Sequence, residues 1–172
     1  MPAQDPAEEL VDIVDETGRV IAVTTRRHMR QHRLPHRCTW VLVFDPAGRL
    51  FVHLRSPTKD LLPLHWDVTV GGVSLAGEEF DRGAVRELQE ELGISAQPER
   101  LFEFRFPQER PYAIGVVYRL THPGPFSLQP EEIVCGEFLS WEDLTARVRE
   151  QPFCAEGLAI LDAYRRWSGC GD

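Results

Sequence analysis

Three glutamates of the segment FDRGAVRELQEELGI, namely Glu87, Glu90 and Glu91, are spaced i, i+3 and i+4, so they share one side of any helix that contains them. Exposed like charges at this spacing cost about 0.2–0.5 kcal/mol per pair, and Glu90 and Glu91 would also sit at the negative end of the helix dipole. Helix stability does not select that arrangement. A divalent cation does: Mg²⁺ takes hard oxygen ligands, keeps some waters, and is commonly held by one or two carboxylates together with substrate phosphates. The chemistry expected of the cluster is therefore metal-assisted, with Mg²⁺ or Mn²⁺ as cofactor. Arg86, four residues before Glu90, can orient a carboxylate by charge-assisted hydrogen bonds. Gly83, in mid-helix on the acidic side, costs about 1 kcal/mol relative to alanine, which implies that something needs the room. Gly71 and Gly72 allow a backbone carbonyl to approach the same ion with no Cβ in the way. A merely solvated acidic face would account for the glutamates but not for the glycines or the arginine.

These groups need a scaffold. The stretch Phe80–Leu92 is expected to be a helix, with Val85, Leu88 and Leu92 as its core stripe and Gly93 as its stop. LVDIVDETGRVIAVTT (10–25) alternates apolar and polar residues on both sides of a tight turn and is expected to form a hairpin, followed by a second one from TWVLVF (39–44), DPAG (45–48) and RLFVHLR (49–55). Further strands are expected at 66–72, 101–106, 114–120 and 134–141, with a C-terminal helix near 154–167. Strands dominate and helices are inserted without regular alternation, which predicts an α+β fold with a mixed sheet. Residues 1–8 are expected to be a flexible tail and 9–172 a single domain, with an oligomeric state the sequence leaves open.

The stretch from Gly72 to Ile94 resembles the signature of the Nudix hydrolases, G-x5-E-x7-R-E-U-x-E-E-x-G-U with U bulky and aliphatic. Gly72, Glu78, Arg86, Glu87, Leu88, Glu90, Glu91, Gly93 and Ile94 fill every fixed position. The resemblance implies an α/β/α sandwich around a mixed sheet and hydrolysis of a nucleoside diphosphate linked to another group. It also implies Mg²⁺ or Mn²⁺ at Glu87, Glu90 and Glu91, with Arg86 and Glu78 in support. Cutting a P–O–P bridge needs charge neutralisation on phosphate oxygens and an activated water, and Glu87 is the first candidate for general base. Glu137 resembles an additional ligand outside the helix, with Glu109, Glu131 and Glu132 in reserve.

The flanks, HRCTWVLVF, LRSPTKDLLPLHWD and FLSWEDL, resemble the branch that contains the type I isopentenyl diphosphate isomerases. Those enzymes place a catalytic cysteine before a glycine and a metal-binding histidine after it, where this chain has Gly71 and Val73. Their further metal-binding glutamates are also missing from PYAIGVV, and the hydrolase signature is intact, so hydrolysis is expected. Isomerase-like activity and non-catalytic nucleotide binding remain as alternatives. His36 resembles an isomerase ligand, and His28, His32 and His36 share helical spacing that Pro35 interrupts. Arg55 and Lys59 match isomerase positions that hold a diphosphate, a task suited to their charge and donors. Trp66 is the candidate for stacking on a base.

Length and charge narrow the partners. At 172 residues with a net charge of −8, the chain lacks the basic footprint that nucleic acid or anionic lipid would need, and charges or prolines interrupt every apolar run. Four dispersed cysteines, with no CxxC pair and no evident leader, are expected to be reduced thiols of a cytoplasmic protein. Patterns marking NADH or coenzyme A cleavage are missing, and Pro111 and Tyr112 carry little weight for ADP-ribose or dinucleotides. Nucleoside di- or triphosphates are the expected small-molecule substrates.

Overall fold

The computed structural model describes residues 5–106 and 113–169, so the candidates Glu109, Pro111, Tyr112 and Cys170 lie outside the described residues. The strands are β1 (Leu10–Val14), β2 (Val20–Thr25), β3 (His36–Phe44), β4 (Leu50–Arg55), β5 (Trp66–Asp67), β6 (Val70–Val73), β7 (Glu99–Arg105), β8 (Ala113–Thr121) and β9 (Ile133–Leu139). The helices are α1 (Arg26–His32), α2 (Phe80–Leu92), α3 (Trp141–Glu150) and α4 (Ala155–Ser168).

β3 is the hub of a mixed sheet. It pairs antiparallel with β6 over Cys38–Val41 and parallel with β8 over its whole length, and it meets β1 at His36. Its run HRCTWVLVF is apolar on both faces because both are covered. Trp40, Leu42 and Phe44 join Ile160 and Leu161 of α4 in one core, whereas Val41 and Val43 join Ala84, Leu88 and Leu92 of α2 in the other. That gives the expected three-layer arrangement, with α2 and α4 on opposite faces.

The first hairpin forms as expected, with Leu10 opposite Thr25. The second does not run as a hairpin: β3 and β4 share only the pair Phe44–Leu50, then splay, because β3 is occupied by β6 and β8 while β4 pairs with β9 and β5. The expected strand at 66–72 is broken after Asp67, whose Oδ1 accepts from Val68 N (2.8 Å) and Thr69 N (3.2 Å) and so turns the chain between β5 and β6. The core stripe of α2 is Ala84, Leu88 and Leu92; Val85 is only half-buried, rotated toward the helix shoulder. Pro6–Glu8 form a 3-10 turn capped by Asp5, and Asp5 and Glu8 accept from Arg27.

Two helices were not anticipated. Thr25 caps α1 by accepting from His28 N, and Ser140 caps α3 by accepting from Asp143 N at 3.1 Å while its hydroxyl donates to Asp143 Oδ2. The Ser140-x-x-Asp143 spacing was the available signal. Among the described residues no helix is long and apolar enough to cross a membrane.

Candidate active site

β6 and α2 are joined by a loop that β1 pins in place. Ala76 N donates to Leu10 O, Gly77 N to Asp12 Oδ2 (3.0 Å), and Ser74 N to Arg37 O. α2 then rises from that loop and ends at Gly93, whose φ of 68° lets its N–H close on Gln89 O and Leu88 O. The helix is thus tied to the sheet through its N-terminal loop and closed on itself at its C-terminal end.

Arg86 organises the acidic face. It forms a two-pronged pair with Glu78 (Nε to Oε1 2.8 Å, Nη2 to Oε2 2.9 Å), and its Nη1 donates to Glu87 Oε1 (3.0 Å) and Glu90 Oε2 (2.9 Å). Glu78 also accepts from Leu75 N, so it ties the helix to the preceding loop. Gly83 provides the room that its cost implied: a Cβ there would lie 3.1 Å from Glu78 Oε2 and 3.4 Å from Thr39 Cγ2.

The three glutamates divide into two kinds. Glu87 and Glu91 are buried at 7% and 6% exposure, one turn apart on the sheet side, whereas Glu90 is half exposed and held by Arg86. Burial raises the Glu87 carboxyl above its ordinary range, with Arg86 acting the other way and Glu90 adding to the rise. Burial likewise raises Glu91, reinforced by Glu87. Two adjacent buried carboxylates without a cation between them are a costly arrangement that a divalent ion relieves. Gly72 closes the other side, since a Cβ there would stand 3.1 Å from Glu87 Oε1. Among the described residues no three acidic, histidine or cysteine side chains form a ready-made cage. The donor set still fits Mg²⁺ or Mn²⁺, which need only one or two carboxylates when waters and phosphates complete the shell.

Gly71 has a different constraint. Its φ is 145°, and a Cβ would meet Thr39 O at 2.1 Å, so β6 can pair with β3 at this point only through glycine.

A cleft of about 390 Å³ opens beside Gly71 and Gly72. Arg55 and Lys59 border it, but both are engaged with the protein. Arg55 donates to Leu61 O (2.9 Å) and Leu62 O (3.3 Å) and lies 3.7 Å from Asp67; Lys59 pairs with Glu132. The cleft also contains groups the sequence reading passed over: Arg26 and Arg30 of α1, Trp40 of β3, and Glu156 of α4. The i, i+4 spacing of the two arginines was a usable signal; the approach of α4 was not.

Two of the candidate residues have other partners. Trp66 does not border the cleft: its ring stacks on Phe153 (6.5 Å between centroids) and is covered by Arg147 at 4.9 Å, and Trp40 is the cleft's tryptophan instead. Glu137, paired across the sheet with Val52, gives its carboxylate to Arg147 at 2.5 Å on an exposed surface. The acids whose charge reaches Glu91 are Glu87, Glu132, which was one of the reserves, and Asp67. Among the histidines, His28 and His32 on α1 pack ring against ring at 4.1 Å with planes tilted by 43°, whereas His36 opens β3 with Nδ1 2.9 Å from Leu34 O, and burial lowers it to about 4.

An α/β/α sandwich carrying an arginine-ordered glutamate helix against a glycine strand defines a class, and comparison with known proteins agrees. The NUDIX domain family matches residues 34–157. An uncharacterised Nudix hydrolase of Streptomyces coelicolor is 40% identical over 166 residues, covering 95% of this chain and 92% of the relative. The uncharacterised Nudix hydrolase YfcD of Escherichia coli K12 is 41% identical over 154 residues, covering 89% and 84%. The crystal structure of DR0079 from Deinococcus radiodurans superposes with a TM-score of 0.79 at 27% identity, covering 92% of this chain and 99% of that one. The chain belongs to the Nudix family, and as a Nudix hydrolase it is a metal-dependent pyrophosphohydrolase in general terms.

Proposed function

We propose that the protein hydrolyses a phosphoanhydride bond of nucleoside di- or triphosphates, with Mg²⁺ or Mn²⁺ held by Glu87, Glu90, Glu91 and the Gly72 backbone. The observation that carries this reading is the pair of buried carboxylates Glu87 and Glu91 on α2, with Glu87 directly beside Gly72, which lines the cleft. The bound cation supplies Lewis acidity toward phosphate oxygens and acidifies a water. Glu87 acts as general base on the attacking water. Arg86 and Glu78 keep its carboxylate aimed, and Gly83 makes room for Glu78. Arg55 and Lys59 grip phosphates, exchanging present contacts for substrate oxygens, so that the anhydride spans from the glycine strand toward α1.

The isomerase alternative would place a cysteine at position 71. The backbone there, with Thr39 O 2.1 Å from any Cβ, weighs against it. The test is turnover of a nucleotide panel with Mg²⁺ or Mn²⁺ and with chelator, with product identification, alongside deuterium uptake from D₂O by isopentenyl diphosphate. Metal-dependent release of phosphate or pyrophosphate is expected. Tight nucleotide binding with no product would support the non-catalytic reading instead, and metal-dependent deuterium labelling would support the isomerase.

A further inference from the structure

Most charges around the cleft are cancelled in place. Arg26 pairs with Glu9 (2.6 Å), Arg30 with Asp60 (3.4 Å), Arg55 lies 3.7 Å from Asp67, and Lys59 pairs with Glu132. Arg33, at the end of α1, also borders the cleft but is exposed, where solvent screens it. Glu156, in the first turn of α4, borders the same cleft and forms no ion pair among the described residues. Its carboxylate is hydrogen-bonded by the Trp40 side chain of β3. It stands among the charges of Arg30 on α1, Arg55 on β4 and Asp67 on β5, at the end of the cleft that carries the proposed phosphate grips. The thiols of Cys38 on β3 and Cys154 on α4 are pushed up by burial and stay neutral, so they add no charge there. The start of α4 is fixed from behind: at Gly157 a Cβ would stand 2.3 Å from Asp67 Oδ1, and hydrogen bonds from Trp66 N to Pro152 O (2.9 Å) and from Cys154 N to Trp66 O (2.8 Å) tie it to β5.

Folding does not select a carboxylate in that place. It has an acid for a neighbour and no cation of its own, and burial, reinforced by Asp67 and opposed by Arg30 and Arg55, raises it to about 7. A carboxyl raised in the folded state stabilises nothing above that pH: the fold then carries a charge that the unfolded chain would bear at lower cost. Toward a polyanionic substrate the same charge acts by repulsion. Two like charges about 10 Å apart, at the effective dielectric of a site near a protein surface, change an affinity about three- to tenfold, and the effect grows with each charge on the substrate.

We infer that Glu156 is a specificity-determining residue that limits the charge of the phosphate chain the cleft accepts, weakening the binding of triphosphates more than that of diphosphates. This rests on the placement of phosphates at Arg55 and Lys59 in the proposed function. When phosphate oxygens take those two cations, Glu156, held by Trp40, keeps its charge and repels the chain in proportion to the charge the chain carries. A triphosphate has one phosphoryl group more than a diphosphate and is penalised accordingly.

The test is equilibrium binding of pyrophosphate and of tripolyphosphate at pH 8 with Mg²⁺, set beside KM for adenosine di- and triphosphate. Glu156→Gln removes the charge and keeps an acceptor for Trp40. It is expected to tighten tripolyphosphate about three- to tenfold and pyrophosphate less, with the gap closing at high salt, and KM for the triphosphate should fall in parallel. Glu156→Ala should behave as the glutamine variant does, so failure of one to fold leaves the other to decide, whereas Glu156→Asp keeps the charge and should keep the unaltered pattern. A merely structural role would weaken both anions or move neither, and either result would overturn the inference, as would equal tightening of both. The expected binding pattern without metal-dependent turnover of any nucleotide would support the charge limit and overturn the hydrolytic reading alone.

Discussion

Arg86 on α2 and Arg55 at the end of β4 are both cations set among acids and carbonyls, yet they serve their regions differently. Arg86 meets Glu78, Glu87 and Glu90, of which Glu87 and Glu90 lie within four residues of it and Glu78 eight residues back. Arg55 fastens the 56–64 loop through Leu61 O and Leu62 O while reaching toward Asp67 from another strand. The helix face is a nearly closed local circuit, and the loop is an assembly of distant parts. On the proposed function, the first region holds its geometry before substrate arrives, whereas the second must trade protein contacts for phosphate contacts, so preorganisation belongs to the metal end and adaptability to the substrate end.

The largest effect should come from the preorganised end. Glu87→Gln keeps the volume and removes the base, so kcat is expected to drop about 10²- to 10⁴-fold with the thermal midpoint unchanged or higher, since a buried charge beside Glu91 is gone. Near-normal turnover at saturating Mg²⁺ would remove Glu87 from the chemistry and break the comparison at its root.

Next in size is a contrast between neighbours. Gly71→Ala forces a Cβ onto Thr39 O at a φ of 145° and is expected to cost roughly 2–4 kcal/mol in denaturant unfolding. Gly72→Ala presses instead on the Glu87 carboxylate, a side chain that can shift, so activity should suffer more than stability. Equal destabilisation by both variants would mean that Gly72 serves strand pairing rather than the site.

The smallest effects belong to the loop. Lys59→Ala is expected to raise KM about three- to tenfold with kcat nearly kept, and less so at high salt. Arg55→Ala should raise KM and also speed amide exchange in residues 56–64. Arg55→Lys should not rescue it, because an ammonium cannot span two carbonyls and a carboxylate with the guanidinium's fork. Full rescue by lysine would reduce Arg55 to a charge and erase its distinction from Lys59.

How much was legible in advance follows from the same contrast. The glutamates, Arg86 and Gly83 interact through helical spacing, which sequence states directly, and capping by Gly93 and the first hairpin are likewise local. The core stripe was displaced by one residue to Ala84 because which flank of a helix is buried depends on the sheet beneath it. Trp66 and Glu137 were assigned to the site on the strength of neighbouring residues, but α3, far along the chain, brought Arg147 to cover one and pair with the other.

The amino-acid sequence by itself determined the family, the acidic helix and its cation chemistry, because those depend on contacts between residues a few positions apart and on residue types that carry charge or lack a Cβ. Only the tertiary structure decided that Glu87 and Glu91 are buried while Glu90 is not, that Gly71 is dictated by strand pairing with Thr39 and Gly72 by Glu87, and that α1 and α4 contribute Arg30 and Glu156 to one cleft. The reason is physical: burial, desolvation and the meeting of charges more than a hundred residues apart arise from how elements pack, and periodicity along a chain carries no record of which element will lie across the gap.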